Sequence, residues 1–481
     1  MVFLRQLYND QLAQASYLVG CAATGEALVI DPNRDLEQYF TLAEREGFRI
    51  TAVTETHIHA DFVSGTRELA ARTGAQLYLS AEGTPEWQYA FAQEAAAVLL
   101  HDGDTFMVGN LRLKVLHTPG HTPEHLSFLL TDTAGADQPM GLFSGDFVFV
   151  GDVGRPDLLE RAAGYAGTME AGARRLYASL RRFAALPDYL QVWPGHGAGS
   201  ACGKALGAVP QSTVGYEKRF NWALCIHDED AFVAGVLEGQ PNPPLYFAQM
   251  KRINKQGPAL LTGLAAPQQL HMLELESRPT SDVVIADTRP ADAFAAGHVP
   301  GTINIPLGPS FVTWAGWLLP YDRPLFLIAD AHAASDAVNQ LRLIGLDMVD
   351  GYWTSSAISA WSAQGHELAT VRRADAASVV EILKRDDVTA LDVREPSETA
   401  YAAIADSRNI PLGYLTRRLA EVPRDSTVVV YCQGGTRSSI AASLLSAAGY
   451  TRVVDLIGGF DAWQHHQAAL EYTLLPASPS R

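Results

Sequence analysis

Four stretches in the first half of the chain share one pattern, an apolar run that stops at a tight polar turn. ITAVTETH runs into Ile58 and His59, LRLKVLHTPGH ends on His121, MGLFSGD ends on Asp146, and DYLQVWPGH ends on His196. The apolar, β-rich runs read as strands, and strand ends gathered on one rim are a common way to assemble a site from distant sequence. Between them, Ser64 to Thr73 and Ala162 to Phe183 carry apolar residues at helical spacing and predict helices. The first half is therefore expected to be a layered α/β domain.

In the second half the pattern repeats itself. The first copy reads VVIADTRPADAFAAGHVPGTINIPLG, then PLFLIAD and AVNQLRLIGL; the second reads TALDVREPSETAYAAIADSRNIPLG, then TVVVYCQGGTRSS and AASLLSAAGY. Each copy alternates strands with helices over about 100 residues, which predicts a parallel α/β unit. PNPPLYFAQMKRINKQGP and the stretch around Gly365 to Ala376 read as connections. The expected domains are 1–250, a connection at 251–271, 272–368 and 369–481.

The 481 residues carry 36 Lys plus Arg against 53 Asp plus Glu, a net charge of −17. Such acidity argues against nucleic acid or an anionic membrane surface as partner. MVFLRQLYNDQLAQ shows no basic region followed by an apolar run, so a cytoplasmic location is expected. Four cysteines, Cys21, Cys202, Cys225 and Cys432, without a CxxC pair, indicate neither a disulfide framework nor structural zinc. Any function they have is that of a single thiol. His101, His117 and His125 lie near the turn motifs and read as ordinary hydrogen-bonded histidines.

THIHAD, HTPGHT, the aspartate of SGD and WPGHG, in this order, resemble the metallo-β-lactamase superfamily, which implies an αββα sandwich with metal at one edge. Hydrolases of that superfamily usually read HxHxDH and hold two metals. Here the last position is Phe62, which cannot ligate. A single metal on His57, His121 and Asp146 is a two-histidine, one-carboxylate set of the kind that holds non-haem Fe(II). This resembles the persulfide dioxygenase branch, to whose SGD-to-GRxD segment SGDFVFVGDVGRPDL is similar. One Fe(II) per chain is expected. His59, Asp61, His196 and Arg155 would then orient ligands or substrate, although Arg155 and Asp157 also read as an ion pair at a turn. Cys202, in the small-residue loop AGSACGKALG, is expected beside the metal.

Both repeat copies resemble rhodanese domains. In CQGGTRS a strand delivers Cys432 into a loop of Gln433, Gly434, Gly435, Thr436, Arg437 and Ser438, and a helix follows. Backbone N–H groups, the helix N-terminus and Arg437 are expected to favour the thiolate, which attacks sulfane sulfur and carries it as a persulfide. Asp392 and Arg394 are expected to form a structural salt bridge. The first copy places an apolar residue, Ile328 or a neighbour, opposite Cys432 and an alanine opposite Arg437, so it reads as a spacer without chemistry. Its GHVPG turn has decayed to AAIAD in the second copy.

Together the resemblances imply a persulfide dioxygenase and sulfurtransferase. A small thiol persulfide and O2 would give sulfite and, with the Cys432 persulfide, thiosulfate, as in sulfide detoxification. Expected partners are those small molecules and further copies of the chain, with no nucleic acid and no membrane. The rival readings are a glyoxalase-II-like thioester hydrolase and a non-catalytic sulfane-sulfur carrier or sensor. A hydrolase leaves the rhodanese loop unused; a carrier leaves the metal site structural.

Overall fold

The computed structural model describes every residue except 162–166, 199, 201, 204–206, 208, 272–274, 276–281 and 475–481. The chain divides into two compact units, Met1–Leu264 with Asn339–Leu346, and Ala265–Val338 with Asp347–Arg481. No helix among the described residues is long and apolar enough to cross a membrane.

The first unit is built on two six-stranded sheets. One runs in sequence order through β1 (Val2–Asn9), β2 (Gln14–Cys21), β3 (Glu26–Ile30), β4 (Arg49–Thr54), β5 (Gln76–Ser80) and β6 (Val98–Leu100). The other contains β7 (Thr105–Val108), β8 (Leu111–His117), β9 (Leu126–Asp132), β10 (Gly141–Gly145), β11 (Gln191–Pro194) and β12 (Ser212–Thr213), again neighbour by neighbour. Alternation along the strands sends one set of side chains between the sheets, where Tyr17, Val19, Phe128, Phe143 and Trp193 interdigitate. The opposite set meets helices. Glu37–Glu46 and Thr66–Thr73 cover the first sheet through Tyr39, Leu42 and Leu69, and Thr168–Ala184 covers the second through Leu176, Leu180 and Phe183. This is the αββα sandwich.

Thr66–Thr73 and Thr168–Ala184 are the two helices expected from spacing; the expected start at Ala162 lies outside the described residues. The stretch PNPPLYFAQMKRINKQGP needs correction as a connection. Phe247–Gln256 within it is a helix with Phe247, Met250 and Asn254 buried, so an element crosses the expected boundary at 250. Its apolar positions sit one helical turn apart, a pattern masked in sequence by the charged residues between them.

The second unit holds two five-stranded parallel sheets of the same design. The first orders β13 (Gln268–Gln269), β17 (Val349–Trp353), β16 (Leu325–Ile328), β14 (Val284–Asp287) and β15 (Ile303–Asn304). The second orders β18 (Arg372–Ala374), β22 (Val453–Leu456), β21 (Thr427–Tyr431), β19 (Val388–Asp392) and β20 (Arg408–Asn409). Central strands LFLI and TVVVY are buried throughout, as a sheet covered on both faces requires.

Candidate metal centre and sulfur-carrying loop

The four polar turns meet where their sequences predict, just past the ends of β4, β8, β10 and β11. Ligand-capable atoms of His57, His121 and Asp146 lie within 4.8 Å of one another, and all three residues are buried. Asp146 Oδ2 stands 3.8 Å from His57 Nε2, 3.5 Å from His121 Nε2 and 3.3 Å from His196 Nε2. Gly195 is required beside it, since a Cβ there would come within 2.7 Å of Asp146 Oδ1.

The outer ring nitrogens are tied down. Thr56 Oγ1 lies 3.0 Å from His57 Nδ1, Arg155 O accepts from His121 Nδ1 at 3.0 Å, and Ala13 O accepts from His196 Nδ1 at 2.8 Å. These bonds fix the rings with Nε2 facing inward. Burial, then the neighbouring His59, push His57 well below the usual histidine range; burial likewise brings His121 down to about 4 against the pull of Asp146. Both are neutral donors at physiological pH. His196 behaves oppositely, because Asp146, Cys202 and Asp61 outweigh its burial and raise it well above its ordinary value. Among the described residues, His57 Nε2, His59 Nδ1 and both carboxylate oxygens of Asp61 and Asp146 are buried without a hydrogen-bond partner. The orphaned His57 Nε2 and Asp146 oxygens, clustered with His121, fit a cation, and a His/Asp set of this kind suggests a metal.

His59 Nε2 is taken by Asp31 Oδ1 at 3.1 Å, and Asp31 with Glu55 and Asp61 overcomes burial to push His59 up to about 9. Phe62 is fully buried with its ring 4.4 Å from that of His59. Spacing alone did not reveal a second cluster, in which donor atoms of Asp61, His196 and Cys202 also lie within 4.8 Å of one another. Cys202 therefore stands beside the site as expected, and supplies a third donor where Phe62 supplies none. Burial, with Asp61, pushes its thiol up to about 12.

Arg155 takes the ion-pair alternative read from its turn. It is fully buried, forks onto Asp157 and reaches Pro241 O, while its carbonyl serves the site through His121. His125 is the hydrogen-bonded histidine expected, and one residue, Asn254, was missed. His125 Nε2 accepts the Asp146 N–H at 3.1 Å and its ring stacks 5.1 Å from His57. Asn254 accepts from Ser64 N–H at 2.9 Å and donates to the carbonyls of His59 and Phe62 at 2.8 and 2.7 Å, pinning the whole turn. Nothing in the sequence marks Asn254. His101 is exposed and His117 bonds Pro123 O, as ordinary histidines do.

The second assembly is the loop after β21. Gly435, at φ 99°, points its N–H at Cys432 Sγ, 3.1 Å away, and the helix Thr436–Ala447 begins at the next residue. A side chain at Gly435 would be strained by that φ and would press on Gly458 N at 3.1 Å. Asp392 and Arg394 form the expected salt bridge at 2.7 Å; Arg394 also donates to Gln433 Oε1 and lies over the Phe460 ring. Arg437 does not face the sulfur freely. Both its terminal nitrogens are bound by Glu398, at 2.6 and 2.7 Å, and among the described residues the N–H that hydrogen-bonds Cys432 Sγ is that of Gly435.

The metallo-beta-lactamase superfamily model matches residues 9–196 and the rhodanese-like domain model matches 375–466. A Staphylococcus aureus structure described as a metallo-beta-lactamase is 47% identical, with a TM-score of 0.66 over 73% of this chain and 99% of that one. The chain belongs to the metallo-β-lactamase superfamily. It is a fusion, with a rhodanese domain at its C-terminal end. A hydroxyacylglutathione hydrolase of Nitrosococcus oceani is 36% identical over 185 residues, 38% of this chain and 61% of that protein. A sulfurtransferase of Allochromatium vinosum is 41% identical over 81 residues, 17% of this chain and 76% of that protein. The chain thus spans about three fifths of the length of the curated hydrolases it matches.

Proposed function

We propose that the protein is a non-haem iron persulfide dioxygenase and sulfurtransferase. His57, His121 and Asp146 would hold one Fe(II), which when bound supplies oxygen activation. The net change is RSSH + O2 + H2O giving RSH, sulfite and two protons. Sulfite then takes the outer sulfur of a Cys432 persulfide, leaving as thiosulfate and returning the thiolate. The observation that carries this reading is Phe62, buried where a hydrolase has a ligand, in a chain that also cradles Cys432 beneath the Gly435 amide. The working parts are the domain of residues 1–250, extended to the end of the helix Phe247–Gln256, the degenerate copy at 272–368 and the active copy at 369–481.

Within the site, neutral His57 and His121 leave their inward nitrogens free for the ion. Cys202, held as a thiol by burial, offers an S–H to substrate sulfur rather than an attacking thiolate. Asp146→Ala is expected to lose iron and persulfide-dependent oxygen uptake together. Cys202→Ser is expected to lower oxygen uptake several-fold while iron content stays at one per chain; unchanged turnover would return Cys202 to packing.

The Asp61, His196 and Cys202 cluster favours one rival, a two-metal thioester hydrolase like the hydroxyacylglutathione hydrolases. Metal analysis of protein purified without added metal separates the two. Iron near one per chain, with oxygen consumed on adding glutathione, coenzyme A, bacillithiol or cysteine persulfide, supports the dioxygenase. Two zinc ions per chain with thioester hydrolysis would overturn it.

A further inference from the structure

Cys432 is held from its far side by a chain of polar groups that the sulfur-carrying mechanism above does not use. Ser438 Oγ lies 3.7 Å from Cys432 Sγ. Its hydroxyl hydrogen has two acceptors, Asp455 Oδ1 at 2.6 Å and Gly435 O at 3.1 Å, and neither is the sulfur. Asp455, on β22 and 1% exposed, keeps its other oxygen on Arg373 Nε of β18 at 2.9 Å. Arg373 in turn pairs with Asp292, which belongs to the degenerate copy. The same copy also seats the helix that follows the loop: Asn304 N–H donates to Ser443 Oγ at 3.0 Å, and His298 Nε2 lies 3.4 Å from Ser446 Oγ. At the position of Asp455 the first copy has Tyr352, since Val430 pairs with Asp455 and its counterpart Leu327 pairs with Tyr352.

We infer that Asp455 is a positioning residue for Cys432: by taking the Ser438 proton it turns the hydroxyl oxygen, not its hydrogen, toward the sulfur. In that orientation Ser438 can accept from a thiol but cannot donate to a thiolate, which leaves the Gly435 amide as the hydrogen-bond donor to the sulfur among the described residues. Arg373, shared with Asp292, supplies the counter-charge that a buried carboxylate requires. Reactivity of the active copy is thus set by a carboxylate whose partner is anchored on the inactive copy.

The other charged groups around the loop are committed elsewhere. Arg437 is on Glu398 with Glu395 beside it, Arg394 is on Asp392, and Asp461 accepts from Gln433. The inference rests on Cys432 being the reactive thiol, and its test reads the thiol without requiring sulfur transfer. In the full chain, iodoacetamide alkylation of the Cys432 peptide is followed by mass spectrometry against pH, which separates it from exposed Cys225. Asp455→Asn removes the charge and frees the hydroxyl to donate, so the half-maximal pH is expected to fall by about one unit, a ten-fold change in the thiol equilibrium. Ser438→Ala alone is expected to leave it within about 0.2 unit, and in the Asp455→Asn background to reverse most of the fall.

A rise of half a unit or more in Ser438→Ala would show that the hydroxyl donates to the sulfur, and would overturn the inference. So would a fall in Asp455→Asn that persists undiminished without Ser438, which would be charge acting through space. If Asp455→Asn fails to fold, the Ser438→Ala result decides alone. Failure of the sulfur-carrier reading would appear separately, as thiosulfate formation surviving Cys432→Ser with these alkylation profiles unchanged.

Discussion

The two parallel α/β copies are one scaffold with two outcomes, and the difference lies in a few residues after one strand. In both, an aspartate at the end of the strand beside the central one is forked by an arginine two residues on, Asp287 with Arg289 and Asp392 with Arg394. In both, an asparagine ties that strand end, Asn304 donating to the carbonyls of Asp287 and Arg289 and Asn409 to those of Asp392 and Arg394. Even the decayed turn performs its old task, since Ala402 O accepts from Arg394 as Gly297 O accepts from Arg289. Strand pairing matches Ile328 to Tyr431, through Asp287 and Asp392, and so sets Ala329 opposite Cys432. The helix after Ala329 starts at Ala331, with one residue between, whereas three residues separate Cys432 from the helix start at Thr436. The first copy lacks the glycine-bearing cradle as well as the thiol.

The largest effect is expected from removing the thiol. Cys432→Ser should take transfer between thiosulfate and a thiol or cyanide acceptor to background, a loss of several orders of magnitude for a nucleophile. Persulfide and oxygen should still be consumed, with sulfite accumulating in place of thiosulfate. Thiosulfate released at the original rate, without a non-enzymatic route from sulfite, would end the comparison by making both copies inactive scaffolds.

The converse graft separates thiol from cradle. Ala329→Cys in the Cys432→Ser background puts a thiol at the matching strand end, with no glycine loop to aim an amide at it. Transfer is expected to remain at background while the protein folds normally, judged by its thermal transition. Recovery of even one hundredth of the normal rate would mean that position on the strand, not the loop, makes the cysteine reactive.

Much of this was legible because the chemistry sits in short, local signals. The strand-to-turn runs placed His57, His121, Asp146 and His196, and CQGGTRS placed Cys432, because a strand period and a glycine-bearing turn are properties of neighbouring residues. What escaped depends on side chains meeting from far along the chain. Asn254 grips a turn some 190 residues earlier, and Asp61 joins Cys202 across about 140 residues, and neither pairing leaves a mark on local pattern. Arg437 was read as a cation for the sulfur because it lies five residues on; Glu398, which occupies it, is 39 residues away. The helix Phe247–Gln256 was hidden by its own composition, prolines before it and basic residues within it, although its buried face is only Phe247, Met250 and Asn254.

The smallest effects should come from the asparagines, and they test whether the two copies remain equivalent as folds. Each alanine variant removes two donors from carbonyls at a strand end, leaving acceptors that burial makes costly to abandon. Asn304 is buried and Asn409 half-buried, so water can replace the lost donor better at the second site. Asn304→Ala is expected to cost about 2 kcal/mol and Asn409→Ala about 1 kcal/mol in denaturant unfolding. Function should divide the other way. Asn409 holds the carbonyl of Arg394, whose guanidinium carries Gln433 of the active loop, so Asn409→Ala should lower transfer several-fold. Asn304→Ala keeps the main-chain N–H that meets Ser443 and should leave the transfer rate of the folded protein unchanged. Equal losses of transfer in both would show that the first copy feeds the Cys432 loop through its strand ends as well as through Asp292.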